Sequence, residues 1–186
     1  MLIEKWGINS LFPPQAEALP NSLKGRNLML AVPTASGKSL VAHITLANRL
    51  IGDLSGQRGI YIVPLKALAS EKYEELKQVC SSVGLKVGLA IGDRSSETSL
   101  VENSDVLVCT SEKLDSMLRS KPSLLDDIGI VVADEFHLLQ DPSRGPTLEI
   151  LLSRIRHSSP RVQILALSAT VGNAQELSEW LEADLV

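Results

Sequence analysis

The chain has 186 residues, of which 44% are hydrophobic and 3% aromatic, and its formal net charge is −4. That length supports one sizeable core in a single domain, and the apolar runs stop well short of a bilayer span. The acidic balance excludes a free-standing nucleic-acid clamp, which carries a basic footprint, so any strand contact has to be local or shared with other parts of the protein.

In chain order, the apolar run 27–32 predicts a first buried strand and the amphipathic stretch 38–50 a helix after it. Strands are expected next at 59–63, 86–90, 105–109, 129–133 and 163–167, separated by helical patterns at 66–83, 111–119, 147–157 and 173–181. The segments 52–58, 92–103 and 141–145 read as mobile loops. Alternation of this kind predicts a three-layer α/β domain with a mostly parallel sheet and right-handed crossovers. Ligands then gather at the carboxyl edge of the strands.

Between the first strand and its helix lies Val32-Pro33-Thr34-Ala35-Ser36-Gly37-Lys38-Ser39. Gly37 lets the backbone N–H groups of Thr34, Ala35, Ser36 and Gly37 close around phosphate oxygens, and the following helix points its positive end at the same anion. Lys38 is expected to reach the β- and γ-phosphates and Ser39 to place its hydroxyl on magnesium. Val32 stands where such loops usually begin with glycine, but the strand-loop-helix context is intact.

After the fifth strand comes Asp134-Glu135-Phe136-His137. Asp134 is expected to hold magnesium through water, and Glu135 to orient and deprotonate the attacking water. His137 is placed to relay the state of the γ-phosphate to a neighbouring element. Loop and acids together point to hydrolysis of a nucleoside triphosphate coupled to motion on a nucleic acid.

With further motifs, nearly the whole chain resembles the first RecA-like motor domain of a superfamily-two DExH-box helicase. Leu11-Phe12-Pro13-Pro14-Gln15 resembles the glutamine motif, Pro64-Leu65-Lys66-Ala67-Leu68 the motif after the second strand, Thr110-Ser111-Glu112-Lys113 the one after the fourth, and Ser168-Ala169-Thr170 the motif that links hydrolysis to movement. Phe12-Pro13-Pro14-Gln15, the phosphate loop and Arg144-Gly145-Pro146-Thr147-Leu148-Glu149 are most similar to the Ski-like group, especially its archaeal DNA repair helicases.

The resemblance implies a RecA-like P-loop NTPase fold over residues 1–186 and an ATP-driven motor moving three-prime to five-prime on single-stranded or forked DNA. It implies that Gln15 bonds adenine, that Lys66, Thr110, Ser111 and Arg144 hold strand phosphates, and that Ser168 and Thr170 couple turnover to movement. It also implies a second RecA-like domain with transition-state arginines; this chain is expected to be a part of that longer motor, nearly inactive alone and a weak binder of nucleic acid. An RNA helicase of the same group, or a nucleotide-dependent binding module without translocation, are the competing readings.

The remaining candidates are plainer. Gly92-Asp93 resembles a minor nucleic-acid contact, His43 and His157 read as helix-surface or core residues, and Trp6 and Trp180 as packing at the ends of the domain. Cys80 and Cys109 match neither metal nor redox spacing, so buried free thiols in a reducing cytoplasm are expected. No apolar stretch follows a basic start, so no secretory leader and no membrane association are expected.

Overall fold

The computed structural model describes residues 8, 10–33, 36–92 and 103–186. Its strands are β1 (Leu28–Ala31), β2 (Arg58–Val63), β3 (Val87–Ala90), β4 (Val106–Thr110), β5 (Ile128–Ala133), β6 (Gln163–Ser168) and a short β7 (Asp184–Leu185). Its α-helices are α1 (Pro13–Ser22), α2 (Lys38–Ile51), α3 (Lys66–Ser81), α4 (Ser111–Ser120), α5 (Gly145–Ser158) and α6 (Ala174–Leu181), with 3-10 turns at Pro122–Asp127 and Phe136–Gln140.

All strands pair in parallel, in the order β3-β4-β2-β5-β6-β1-β7. The register sets Ala31 beside Ser168, Ala133 beside Ala166 and Val63 beside Thr110, so the carboxyl ends of these strands line one edge. That edge is where the motifs predicted from the sequence come out. Among the described residues no helix is long and apolar enough to cross a membrane.

Side chains alternate across the pleat, which splits the core in two. Ile60 and Ile62 of β2 pack with Leu114 and Leu118 of α4 and with Leu151 and Ile155 of α5. Tyr61 and Val63 of the same strand pack on the other face with Val41 and Leu46 of α2 and Leu76 of α3. Strands covered on both faces read as continuous apolar runs, which is why they were legible in the sequence.

Besides α1 and the two 3-10 turns, which were not among the expected elements, β7 and α5 differ from the sequence expectation. β7 was not expected, because Asp184-Leu185 forms no apolar run; it is held by backbone pairing to β1, with Val186 N–H donating to Met29 O and Ala31 N–H to Val186 O. α5 begins at Gly145 rather than 147. A Cβ on Gly145 would lie 1.9 Å from Leu139 O, so only glycine lets the helix start this close to the turn behind it.

Candidate active site and nucleic-acid groove

The phosphate loop leaves β1 and enters α2 through Gly37, which has a left-handed backbone (φ 69°, ψ 30°) suited to glycine. A Cβ there would also approach Gln15 Nε2 to 2.3 Å. Gln15 is buried, and its amide is turned onto the loop: Nε2 donates to Gly37 O at 3.0 Å, and Oε1 accepts from Phe12 N–H at 3.0 Å. In this arrangement Gln15 braces the loop from α1. Lys38 folds back along the loop, with Nζ donating to Val32 O at 3.0 Å and Pro33 O at 3.3 Å. Ser36 Oγ closes the turn on Pro33 O at 2.6 Å, while Thr34 and Ala35 lie outside the described residues. The first N–H groups of α2 lack intrahelical acceptors and sit at its positive end, which suits an anion.

The acidic motif leaves β5 beside this loop. Asp134 is 7% exposed, its Oδ2 accepting from the Tyr61 hydroxyl and its Oδ1 from Glu135 N–H, both at 2.9 Å. Burial pushes the Tyr61 phenol well above its usual range, and the charge and hydrogen bond of Asp134 add to this, against a smaller opposite effect of Ser39. Tyr61 is therefore a neutral, permanent donor that fixes the carboxylate plane. Glu135 has a left-handed backbone (φ 51°, ψ 42°), an uncommon conformation for a residue with a side chain and one that costs about 1 kcal/mol or more.

A cavity of about 270 Å³ brings Gly37, Lys38, Ser39, Asp134 and Glu135 together. The donor set fits a nucleotide with magnesium: a lysine and a helix N-terminus for phosphates, and hard oxygens from a hydroxyl and a carboxylate for the metal. Magnesium keeps water and phosphate ligands, so it needs no all-protein cage. No group of three or more His, Cys, Asp or Glu placed to hold a metal ion occurs among the described residues.

His137 Nδ1 lies 3.4 Å from Glu135 Oε2 and 3.4 Å from Ala169 N, from which it accepts a hydrogen bond. One nitrogen thus faces both Glu135 and the segment after β6. Within that segment it is the Ala169 backbone that meets His137; Ser168 is buried with its hydroxyl on Ala169 O, and Thr170 is exposed.

A second, more open cavity of about 380 Å³ is lined by Lys66, Thr110 and Arg144, together with Lys113 and Glu112. Thr110 caps α4 by accepting from Lys113 N–H, and Lys113 Nζ donates to Gly92 O at 2.7 Å. Ser111 is buried and instead lines a recess shared by Asp134, Glu135 and Arg144. Arg144 therefore borders both the groove and the acidic motif. The loop that presents it is tied by Asp141, whose carboxyl is held below its usual range by the Ser143 hydroxyl and the N–H groups of Ser143 and Arg144. Asp93 lies outside the described residues, so only Gly92 of that dipeptide is seen here.

Sequence reasoning missed Tyr61 and Lys72. Lys72 faces the nucleotide cavity and donates to Ser39 Oγ at 3.1 Å. Its signal was a lysine interrupting the apolar stripe of α3 between Ala69 and Leu76. Tyr61 carried no signal, since an aromatic inside an apolar strand looks like any core residue. Elsewhere, His43 is buried and His157 exposed, and Trp180 packs on the core under the Arg156 guanidinium. Trp6 lies outside the described residues. Cys80 and Cys109 are free and buried, and burial pushes both thiols up to about 12.

The profile of the DEAD/DEAH box helicase family matches residues 12–177. ATP-dependent DNA helicase Hel308 of Thermococcus kodakarensis is 50% identical over 186 residues, which are 100% of this chain and 16% of that protein. Hel308 of Methanocella arvoryzae is 49% identical over 185 residues, 97% of this chain and 25% of the relative. The chain thus spans a sixth to a quarter of the length of these relatives. The crystal structure of the DUF1998 helicase MrfA superposes with a TM-score of 0.80 at 23% identity, covering 100% of this chain and 31% of that one, which is a likeness of fold.

Proposed function

The chain belongs to the DEAD/DEAH box helicase family, and from that premise we propose that it is the ATP-binding motor domain of an ATP-dependent DNA helicase. The helicase we infer moves three-prime to five-prime and serves DNA repair and replication-fork processing. The observation that carries the reading is the meeting of a phosphate loop with the Asp134 and Glu135 carboxylates at one sheet edge, next to a groove lined by Lys66, Thr110 and Arg144.

ATP and Mg2+ are the cofactors of this reading. Lys38 and the N–H groups heading α2 bind and counter the β- and γ-phosphates, while Ser39 and Asp134 offer oxygens to the metal. The ion, when bound, neutralises charge on the phosphate oxygens. Tyr61 holds Asp134 in place, and Glu135 orients the attacking water and takes its proton. His137 senses that step and passes it to Ala169, between Ser168 and Thr170. Little covalent chemistry is asked of the protein, since phosphoryl transfer needs positioned charge above all.

Single-stranded or forked DNA is the proposed partner, supported by the relatives, which are named DNA helicases; RNA is the alternative. A second RecA-like domain of the same protein is proposed to supply arginines worth roughly 10³ to 10⁵ in rate, so this domain alone turns over ATP very slowly. A cytoplasmic location accords with the buried free thiols.

The test is steady-state ATP turnover of the intact protein with single-stranded DNA, with single-stranded RNA and with neither, using Lys38→Ala as the blank. DNA-stimulated turnover that the variant lacks is the expected result. Turnover at the blank's level refutes the motor reading, greater stimulation by RNA moves it to RNA, and turnover without separation of a forked duplex leaves a nucleotide-dependent binding module.

A further inference from the structure

The buried face of α3 runs through Ala69, Leu76, Val79 and Cys80. Lys72, three residues after Ala69 and four before Leu76, lies on that face, and its side chain is 14% exposed. Its ammonium has two oxygen partners, Ser39 Oγ at 3.1 Å and Glu75 Oε2 at 2.8 Å. Neither a loop carbonyl nor the carboxylate of Asp134 is among the partners found for it. The contact is with the hydroxyl that the nucleotide reading assigns to the metal.

Two cations that claim one hydroxyl repel each other, and more strongly in a partly buried site than in water. Ser39 Oγ therefore accepts a magnesium ion at the expense of Lys72, whose remaining partner is Glu75, half-exposed and one turn further along the same helix. The neighbouring His43 is buried, with Nε2 3.9 Å from the same Glu75 Oε2. On Asp134, the other metal-side group, Tyr61 donates a neutral hydrogen bond that imposes no such competition.

α3 also begins at Lys66, one of the basic residues that line the groove beside Lys113 and Arg144. Six residues of helix separate it from Lys72, about 9 Å along the axis. A displacement of the Lys72 side chain is thus felt on the same rigid element that presents Lys66. Resting on the nucleotide-site reading, we propose that Lys72 is a positioning residue that competes with magnesium for Ser39 Oγ and so links metal-bound nucleotide, through α3, to the nucleic-acid groove.

The experiment titrates Mg2+ into the intact protein at a fixed concentration of a fluorescent ATP analogue, with and without saturating single-stranded oligonucleotide, and reads the half-point of binding. Lys72→Met is expected to lower that half-point by roughly three- to tenfold, because one fixed positive charge is gone. Lys72→Arg keeps the charge and the wild-type half-point. Glu75→Gln raises the half-point, because the ammonium loses its other partner. The shift of the half-point by oligonucleotide shrinks in Lys72→Met. Opposite signs in the Lys72 and Glu75 variants separate this role from structural damage, which moves both the same way. An unchanged half-point in Lys72→Met, or movement in the same direction in Lys72→Met and Glu75→Gln, overturns the proposal. Lys38→Ala that still binds the analogue like wild type would instead show that the nucleotide site itself is misassigned, and the Lys72 role falls with it.

Discussion

The nucleotide cavity and the groove beside it share a sheet edge but are built on different principles. At the cavity Lys38 and Asp134 are buried and individually held, Lys38 on loop carbonyls and Asp134 on Tyr61 and a backbone N–H, and the neutral amide of Gln15 braces Gly37. In the groove Lys66 is exposed and Arg144 half-exposed, and Glu112 dilutes the positive charge. A buried polar group with one partner concentrates free energy in one contact, whereas exposed phosphate contacts share it out. Single substitutions should therefore be severe in the cavity and mild in the groove.

The largest contrast is expected from Glu135→Gln, which keeps the shape but removes the base. In the intact protein its turnover should fall on the order of 10³-fold while Mg-ATP affinity stays within about threefold; single-turnover kinetics beside equilibrium binding would expose a base located elsewhere.

Gly145→Ala tests whether the two regions are mechanically joined, since a Cβ there collides with Leu139 O, in the turn that follows Glu135. A backbone clash cannot be relieved by a rotamer, and a loss of about 2 to 3 kcal/mol in urea unfolding is expected. Wild-type stability in that variant would mean that α5 is free to start later.

Beneath the cavity, His43 makes stability depend on pH. Burial first, and then the charge of Lys72, hold its pKa at about 3 instead of 6.5; Glu75 Oε2 lies 3.9 Å from Nε2, and the Tyr61 ring lies 6.0 Å away, centroid to centroid. The folded pKa is below the unfolded one, so the contribution of neutral His43 is complete above pH 6.5 and is lost as pH falls from 6.5 toward 3, the window in which the unfolded chain holds the proton and the folded chain does not. Going from pH 7 to pH 5 should cost about 2 kcal/mol, and His43→Gln should flatten that dependence in urea midpoints.

The smallest effects belong to the groove. Lys66→Ala and Arg144→Ala should each weaken single-strand binding several-fold and reduce the log-log salt slope by about 0.7. A loss as steep as that of the cavity variants, or an unchanged slope, would mean that these residues do not meet phosphates.

The sequence was read well where chemistry is local. Val32 to Ser39 is contiguous, so the phosphate loop could be seen without a fold, and strands covered on both faces announce themselves as apolar runs. Ser111 shows the limit: next to Thr110 in a motif, it turns away from the groove because neighbouring residues at a strand end face opposite sides. β7 escaped because two residues paired through backbone alone leave no pattern in side chains.

What the sequence by itself determined is the inventory: strands and helices in alternation, a Gly-Lys-Ser loop after the first strand, an Asp-Glu pair after the fifth, and the family in which these occur in this order. What only the tertiary structure decided is who meets whom: Tyr61 with Asp134 across 73 positions, Lys72 with Ser39 across 33, Gln15 with Gly37 across 22. Periodicity reports which side of an element is buried, because burial follows from that element's own residues. The partner across the interface is set by sheet order and register, which arise from pairing between segments distant in the chain and leave no trace in either segment alone.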